Sequence, residues 1–250
     1  MCRPQGMIDS TLLMDEILTP ALLTGFFTII GIDIILSGDN AVVIALAARS
    51  LPAHQQKRAV FWGAGVAVGL RIALATIALQ LLRLPYLKLG GGVMLLWIAV
   101  KLLLPESDEA NIEPADHLWA AVKTIVVADF VMSLDNVVAV AAAARGSVLL
   151  LALGLIISIP LVVFGAGLLM KLMARWPSII TIGAALLGWT ALEMAMSDAL
   201  IAHWFEARPP LFHFALPALG AIFVVAVGKW FAVRVKLART STAAESNPSA

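Results

Sequence analysis

The chain has 250 residues, of which 61% are hydrophobic and 13% are charged, and its formal net charge is +1 at pH 7. Soluble domains average about 45–50% apolar and about 25% charged residues, so this composition excludes an ordinary soluble domain. The near-neutral charge gives no indication of a nucleic-acid partner. The only cysteine, Cys2, excludes a disulfide framework and a thiolate metal cage. We therefore predict an all-α, polytopic protein that contacts the lipid bilayer.

Apolar runs that could cross the roughly 30 Å core of a bilayer recur along the chain. Residues 1–19 precede them and lack the short apolar core of a cleaved signal peptide. We predict seven spans, with the ranges 20–48, 58–82, 85–104, 118–144, 147–173, 178–200 and 212–236. Polar segments separate some of them, namely an acidic linker at 105–117, a loop at 201–211 and a tail at 237–250 that is expected to be disordered.

Lysine and arginine residues are concentrated at one side of these spans. With the N-terminus outside, the inner segments hold Arg49, Lys57, Arg58, Lys101, Lys123, Lys171, Arg175, Lys229, Arg234, Lys236 and Arg239, whereas the outer segments hold fewer. The positive-inside rule then places residues 1–19 and 201–211 outside, and the linker 105–117 and the tail 237–250 in the cytoplasm. We expect a multi-pass protein of the plasma (inner) membrane.

The first and fourth spans share a motif. Residues 33–49 match residues 129–145 at nine of seventeen positions, and "DIILSGDN" (33–40) corresponds to "DFVMSLDN" (129–136). A weaker match joins "GGVMLLWIAVK" (91–101) to "GAALLGWTALE" (183–193). The repeating unit is therefore three spans, 20–104 and 118–200. An odd number of spans forces the second copy to insert upside down, and inverted repeats are typical of secondary transporters. The predicted fold is an inverted 3+3 repeat plus a seventh helix.

The repeated acids carry the chemistry of the motif. A carboxylate at the centre of a span costs about 2.5–3.5 kcal/mol on insertion scales, so each acid needs protons, cations, arginine or water as partners. Helical spacing places Asp33, Ser37 and Asn40 on one face of the first span, and it does the same for the matching residues of the fourth span, Asp129, Ser133 and Asn136. Gly38 makes a break in the first span more plausible than one in the fourth, where Leu134 stands.

Depth distinguishes the acids from one another. Asp39 and Asp135 each lie ten residues from an arginine that marks a helix end, Arg49 or Arg145, which is about 15 Å at the helical rise. We therefore predict that Asp39 and Asp135 form a pair at the bilayer centre beside Asn40 and Asn136. Asp33 and Asp129 are expected to flank the route, one toward each surface.

The polar residues that surround these acids suggest the ion. Carboxylate and amide oxygens without nearby His or Cys form a hard ligand set that suits Mn²⁺, Mg²⁺ or Ca²⁺ better than Zn²⁺ or copper. The predicted ion ligands are Asp39, Asn40, Asp135, Asn136, Asp33 and Asp129. Ser37, Ser133 and Arg71 are expected to support them, and Arg71 could instead pair with an acid of the first span, which would make that acid structural.

The paired motifs "GIDIILSGDNAVVIALAA" and "ADFVMSLDNVVAVAAAA" resemble those of the TerC family of integral membrane proteins, and within it the YjbE-type branch of metal transporters. The resemblance covers roughly residues 20–200. It implies a seven-helix fold related to the LysE-like exporters and a role in the efflux of a divalent metal, foremost Mn²⁺. The motif positions that it carries over are Asp33, Asp39, Asn40, Asp129, Asp135 and Asn136.

Taken together, these patterns predict a non-enzymatic transporter that exports a divalent cation, most simply Mn²⁺, by alternating access with proton exchange. We expect it to need no cofactor, and the sequence leaves its oligomeric state open. Three alternatives stay open: a LysE-like exporter of amino acids or small solutes, an intramembrane aspartyl protease that uses Asp39 and Asp135, and an accessory subunit of a membrane complex.

Overall fold

In the computed structural model of the chain, residues 20–81, 84–104, 114–144 and 147–245 are described. These residues form nine helices and no strand. In chain order they are α1 (Pro20–Leu36), α2 (Gly38–Ala48), α3 (Ala53–Leu81), α4 (Leu87–Leu103), α5 (Pro114–Ala143), α6 (Val148–Arg175), α7 (Ser178–Met196), α8 (Ala202–Glu206) and α9 (Pro210–Glu245). The all-helical prediction is confirmed for this part of the chain.

Among the described residues, fewer helices than the seven predicted are long and apolar enough to span a membrane. Five helices, α3, α5, α6, α7 and α9, are long and apolar enough to cross a membrane, and the described chain has six such spans if α1 and α2 count as one. The predicted third span is α4, whose 17 residues reach only about 26 Å at the helical rise. The predicted segments 1–19 and 105–113 lie outside the described residues.

The first predicted span is two helices. α1 ends at Leu36, α2 begins at Gly38, and their axes are bent by 51° at Ser37. The matching span in the second half, α5, is continuous through Leu134. The break therefore lies in the span that the sequence favoured over the fourth, next to a glycine that weakens the helix, whereas leucine at the matching position does not.

The last helix is longer than predicted. α9 continues to Glu245, so residues 237–245, which the sequence assigned to a disordered tail, have a helical backbone. The segment "LARTSTAAE" contains alanine, leucine, arginine and glutamate, which are strong helix formers, and it has no proline or glycine to end the helix.

The helices pack in a regular pattern around a common core. α3 packs on α5, α1 and α2 pack on α6, and α4 packs on α7, which also supports α9. Leu46, Leu95, Val131 and Leu187 are almost inaccessible and join four helices in the largest buried cluster. Large apolar side chains such as Phe164 of α6 are exposed on the outside of the bundle, as expected for surfaces that face lipid.

Two close helix contacts are alike in the two halves. A Cβ atom at Gly63 of α3 would lie 2.8 Å from Cγ2 of Ile125 on α5, and one at Gly154 of α6 would lie 2.5 Å from Cγ2 of Ile29 on α1. Each isoleucine is four residues before the first aspartate of its motif. The glycines are needed at these positions because any side chain would separate the helices that position the two motifs.

Candidate functional site

The buried polar centre of the bundle is an ion-pair cluster of Arg71, Asp33 and Asp129, here called the central cluster. Nη1 of Arg71 lies 2.5 Å from Oδ1 of Asp33, and Nη2 lies 2.6 Å from Oδ1 of Asp129. Nε of Arg71 also donates to Oδ2 of Asp129 at 3.3 Å, so the guanidinium binds Asp129 with two nitrogens. All three residues are buried, with at most 9% of their surface exposed.

Three serines complete the hydrogen bonds of the central cluster. Ser37 accepts a hydrogen bond from Nη1 of Arg71 at 2.9 Å, and Ser133 donates one to Oδ2 of Asp129 at 3.2 Å. Ser158 of α6 donates to the other oxygen of Asp33. The guanidinium and both carboxylates therefore have several polar partners, which a buried ion pair requires to offset its desolvation.

This geometry corrects the predicted depth of the acids. Asp33 and Asp129 do not flank opposite surfaces, because one guanidinium binds both of them. The physical reason is helix length. α1 and α2 together run from Pro20 to Ala48, and α5 runs from Pro114 to Ala143. The midpoints of these two helical segments therefore fall beside Asp33 and Asp129. The sequence-based depth was counted from Arg49 and Arg145 alone, and it placed the bilayer centre six residues too close to those arginines.

The break between α1 and α2 gathers a second group of polar atoms. The carbonyl oxygen of Leu36, at the C-terminal end of α1, accepts from the side-chain nitrogens of Asn40 at 3.4 Å and Asn136 at 3.2 Å. Both motifs therefore meet at one backbone acceptor. Oδ1 of Asp39 accepts from the backbone N–H of Asn40 at 2.8 Å. Oδ1 of Asn40 is buried and has no hydrogen-bond partner among the described residues.

Asp135 has different partners from Asp39. It forms an ion pair with Lys88 near the start of α4, and Oγ of Ser197, just after the end of α7, lies 3.4 Å from both carboxylate oxygens. Its carboxylate is therefore level with the ends of two helices and is one-third exposed. The predicted central pair of Asp39 and Asp135 is replaced by a central pair of Asp33 and Asp129, joined through Arg71.

A buried carboxylate at the same end of the bundle fixes the position of Lys88. Asp198 accepts hydrogen bonds from the backbone N–H groups of Leu200 at 3.1 Å, Leu89 at 3.3 Å and Tyr86 at 3.4 Å. Tyr86, with φ of 64°, has a left-handed backbone immediately before α4. Burial raises the pKa of Asp198, but these donors outweigh it, so the pKa lies below its usual value.

The described residues offer few ligands for a metal ion in this conformation. No three His, Cys, Asp or Glu side chains of the described segments are close enough together to hold one ion. A void of about 20 Å³ beside Asp33, Asp129, Arg71 and Ser158 has room for about one water molecule. Any ion bound at the helix break would therefore use Asp39 together with amide and carbonyl oxygens, all of them hard ligands.

Several of these contacts were not predicted from the sequence. Ser158 could have been noticed as an isolated polar residue within the apolar run of α6, two residues before Pro160. Lys88 and Asp198 gave no local signal, because each lies beside a helix end where charged residues are ordinary. The sequence left open whether Arg71 pairs with an acid of the first span; the structure pairs it with Asp33 of that span and also with Asp129, which was not considered.

Several known membrane proteins are similar in sequence to this chain. The chain is 40% identical over 203 residues to the uncharacterized membrane protein YjbE of Bacillus subtilis, which covers 81% of this chain and 93% of that protein. It is 26% identical over 188 residues to the uncharacterized membrane protein YkoY of the same organism, covering 67% of this chain and 58% of YkoY. The UPF0053 inner membrane protein YoaE of Escherichia coli K12 is 28% identical over 145 residues, which is 50% of this chain and 28% of YoaE.

No solved structure matches the chain. The sequence profile described as "Integral membrane protein TerC family" matches residues 18–236, a range that contains both repeated motifs, the central cluster and the break between α1 and α2. The chain therefore belongs to the TerC family of integral membrane proteins.

Proposed function

We propose that this protein is a membrane transporter that exports a divalent metal cation, most simply Mn²⁺, in exchange for protons. The charge count at the centre of the bundle carries this proposal. The interior contains three carboxylates, those of Asp33, Asp129 and the half-buried Asp39. Among the described residues, one interior guanidinium, that of Arg71, opposes their charge. A net charge of −2 within a membrane needs compensation, which one divalent cation or two protons would supply equally well.

The helix break provides ligands suited to such an ion. Asp39 offers a carboxylate and Asn40 an unpartnered amide oxygen beside it, and the carbonyl oxygen of Leu36 would join them once the side-chain amide of Asn40 turns away from it. Asn136 reaches the same carbonyl from the second motif. Broken helices with free backbone groups are the usual cation sites of secondary transporters. We assign Asp33, Asp129 and Asp135 to later positions of the ion along its route.

The packing of the helices supports the inverted 3+3 repeat with α9 as the seventh helix. The contact of α3 with α5 corresponds to the contact of α1 and α2 with α6, and the third helices of the two units, α4 and α7, pack on each other. The glycine–isoleucine contacts at Gly63 and Gly154 follow the same correspondence. Rocking of one unit against the other would alternate access to the break.

One end of the bundle is closed by an ion pair. Lys88 binds the carboxylate of Asp135, so a cation arriving from that end would have to displace the lysine. The distribution of Lys and Arg assigns this end to the outside and the C-terminus to the cytoplasm. The relative YoaE is named an inner membrane protein, which agrees with a location in the plasma membrane.

The alternatives fit this geometry less well. An amino-acid exporter would need a cation for the substrate carboxylate, but Arg71 is already bound to two aspartates. An aspartyl protease would need Asp39 and Asp135 side by side, whereas their recorded partners differ. An accessory subunit would not depend on its acids. We therefore propose a transporter without enzymatic activity or a resident cofactor.

Metal uptake into sealed vesicles tests the proposal. The purified protein would be reconstituted with a metal-sensitive dye inside, and Mn²⁺, Mg²⁺, Ca²⁺ and Zn²⁺ would be added with and without a pH gradient. We expect Mn²⁺ flux that Asp39→Asn abolishes, with Glu193→Gln, an exposed acid on α7, as the matched control. Flux of labelled amino acids, or full Mn²⁺ flux in Asp39→Asn at equal protein level, would overturn it.

A further inference from the structure

A large cavity of the described bundle lies away from the acids. It has a volume of about 590 Å³ and lies among the end of α2, the start of α3, the end of α6 and the start of α7. By helix direction this is the membrane end opposite Lys88. Its walls are mainly apolar and include Val60, Val163 and Met170.

The charged side chains of this cavity are all positive. Arg49, Lys57 and Lys171 line it, and no aspartate or glutamate is among its lining residues. The three cations come from three different places in the chain, namely the residue after α2, the first turns of α3 and the last turns of α6. Their fields therefore add within one space, and a cation would be repelled from it while an anion would be attracted.

The polypeptide around the cavity has a defined shape. The side-chain nitrogen of Gln56 donates to the carbonyl oxygens of Arg49 at 3.1 Å and Leu51 at 2.9 Å. These two bonds tie the turn between α2 and α3 to the first turn of α3, so the backbones that carry Arg49 and Lys57 are held in a fixed relation. A preformed basic site loses less conformational entropy when a ligand binds.

The position of the cavity selects the kind of anion. Trp176 follows α6 directly after Arg175, whose guanidinium carbon lies 5.6 Å from the centre of its ring, and the tryptophan is largely exposed. Exposed tryptophan at a helix end is typical of the headgroup level of a bilayer. Lys171 is one turn before it. A basic opening with apolar walls at this level matches a lipid that has an anionic phosphate and hydrocarbon chains.

We propose that this cavity binds the phosphate of an anionic phospholipid, with Arg49, Lys57 and Lys171 around the headgroup and an acyl chain along the apolar wall. The site is independent of the proposed metal transport and uses none of its residues. An anionic lipid has the charge that this basic cavity requires. Because Arg49 directly follows α2, the helix after the break, the lipid composition of the membrane would affect the position of this helix.

Lipid binding by the purified full-length protein tests this proposal. Adducts would be counted by native mass spectrometry, and thermal unfolding would be followed, during titration with phosphatidylglycerol, phosphatidylcholine or inorganic phosphate. The test variant is Lys57→Gln/Lys171→Gln. The matched control is Lys101→Gln/Lys123→Gln, which removes two exposed lysines at the same membrane end that do not line the cavity.

We expect one tightly bound phosphatidylglycerol and a rise in the unfolding temperature that phosphatidylcholine does not produce. The cavity variant should weaken this binding at least tenfold, and the control variant should bind as the parent chain does. Equal binding of both lipids, or no difference between the two variants, would overturn the proposal. Protection by inorganic phosphate as strong as that by phosphatidylglycerol would overturn the lipid assignment.

Discussion

A single arginine side chain holds four helices together in the middle of the bundle. Arg71 of α3 contacts Asp33 of α1, Ser37 before α2 and Asp129 of α5, and Ser158 of α6 joins through Asp33. Guanidinium suits this position better than ammonium because its planar donors can bind two carboxylates at once. In the conformation described, the guanidinium between them compensates both buried carboxylates.

Removal of that cation should be strongly destabilising. We expect Arg71→Met to lower the free energy of unfolding by about 3–5 kcal/mol, since two buried carboxylates lose their partner. Adding Asp33→Asn and Asp129→Asn should recover much of this loss because the uncompensated charges are removed with it. Thermal unfolding in detergent would measure both effects, and strictly additive losses in the triple variant would contradict this role of Arg71.

Asp198 gives a prediction for the dependence of stability on pH. Its pKa in the folded protein is lower than in the unfolded chain, so its hydrogen bonds contribute full stability above the unfolded value of about 3.9. That contribution is lost as the pH falls through the lower, folded pKa. We therefore expect parent and Asp198→Asn proteins to differ in unfolding temperature by a constant amount from pH 7 to about pH 5 and to converge below about pH 4. A difference that grows on acidification would contradict it.

The break between α1 and α2 is the distinctive feature at the scale of elements. Ser37 has φ of −99° and ψ of 3°, outside the helical range, and its side chain does not cap α2. The first turn of α2 contains Asp39, whose carboxylate is favourably placed at a helix N-terminus. The first turn of α2 therefore contains a carboxylate that can bind a cation. It also contains backbone N–H groups that stabilise this carboxylate.

Strengthening the helix at this break should impair transport without unfolding the protein. A Cβ atom at Gly38 meets no other atom within 4 Å, so Gly38→Ala fits and adds about 1 kcal/mol of helix propensity. Gly31→Ala, within α1, has equally open space and is the matched control. We expect equal or higher stability for both variants and reduced Mn²⁺ flux only for Gly38→Ala. Equal flux in both would show that the break does not move.

The helices themselves could be predicted from the sequence, but their mutual arrangement could not. Apolar runs located every long helix, and the repeated motif located the interior acids. Rotation and tilt decide which acids meet, and neither is encoded in spacing along one helix. Asp39 and Asp135 were therefore predicted as a pair, whereas the structure gives them different partners. Arg71 was singled out because an arginine within a span needs an acid.

At the scale of the whole molecule, the two ends of the bundle differ. One end carries the ion pair of Lys88 and Asp135 and the buried carboxylate of Asp198, and the other carries the large basic cavity. A transporter that alternates access must close one end while the other opens. The pairing of Lys88 with Asp135 is the polar contact that we assign to the closed outer end.

Opening of this end can be followed with a cysteine reporter. Asn136→Cys, in a Cys2→Ser background, would be labelled by a charged maleimide that does not cross membranes. We expect Lys88→Gln to increase the labelling rate severalfold, since it releases Asp135 from the start of α4, whereas Lys101→Gln at the opposite end should leave the rate unchanged. Identical rates in the two variants would argue against closure by Lys88.

The central cluster also has a consequence for the ancestry of the fold. Gly63 and Gly154 are equivalent in the proposed repeat, so the residue equivalent to Arg71 is Val162, and both line the same small void. Consider a dimer of two identical three-helix units that insert in opposite orientations. Because both units have the same sequence, this dimer would carry either two such arginines or none. A single arginine between two acids requires two units of different sequence, so in the proposed repeat the present charge balance arose after the two copies had diverged.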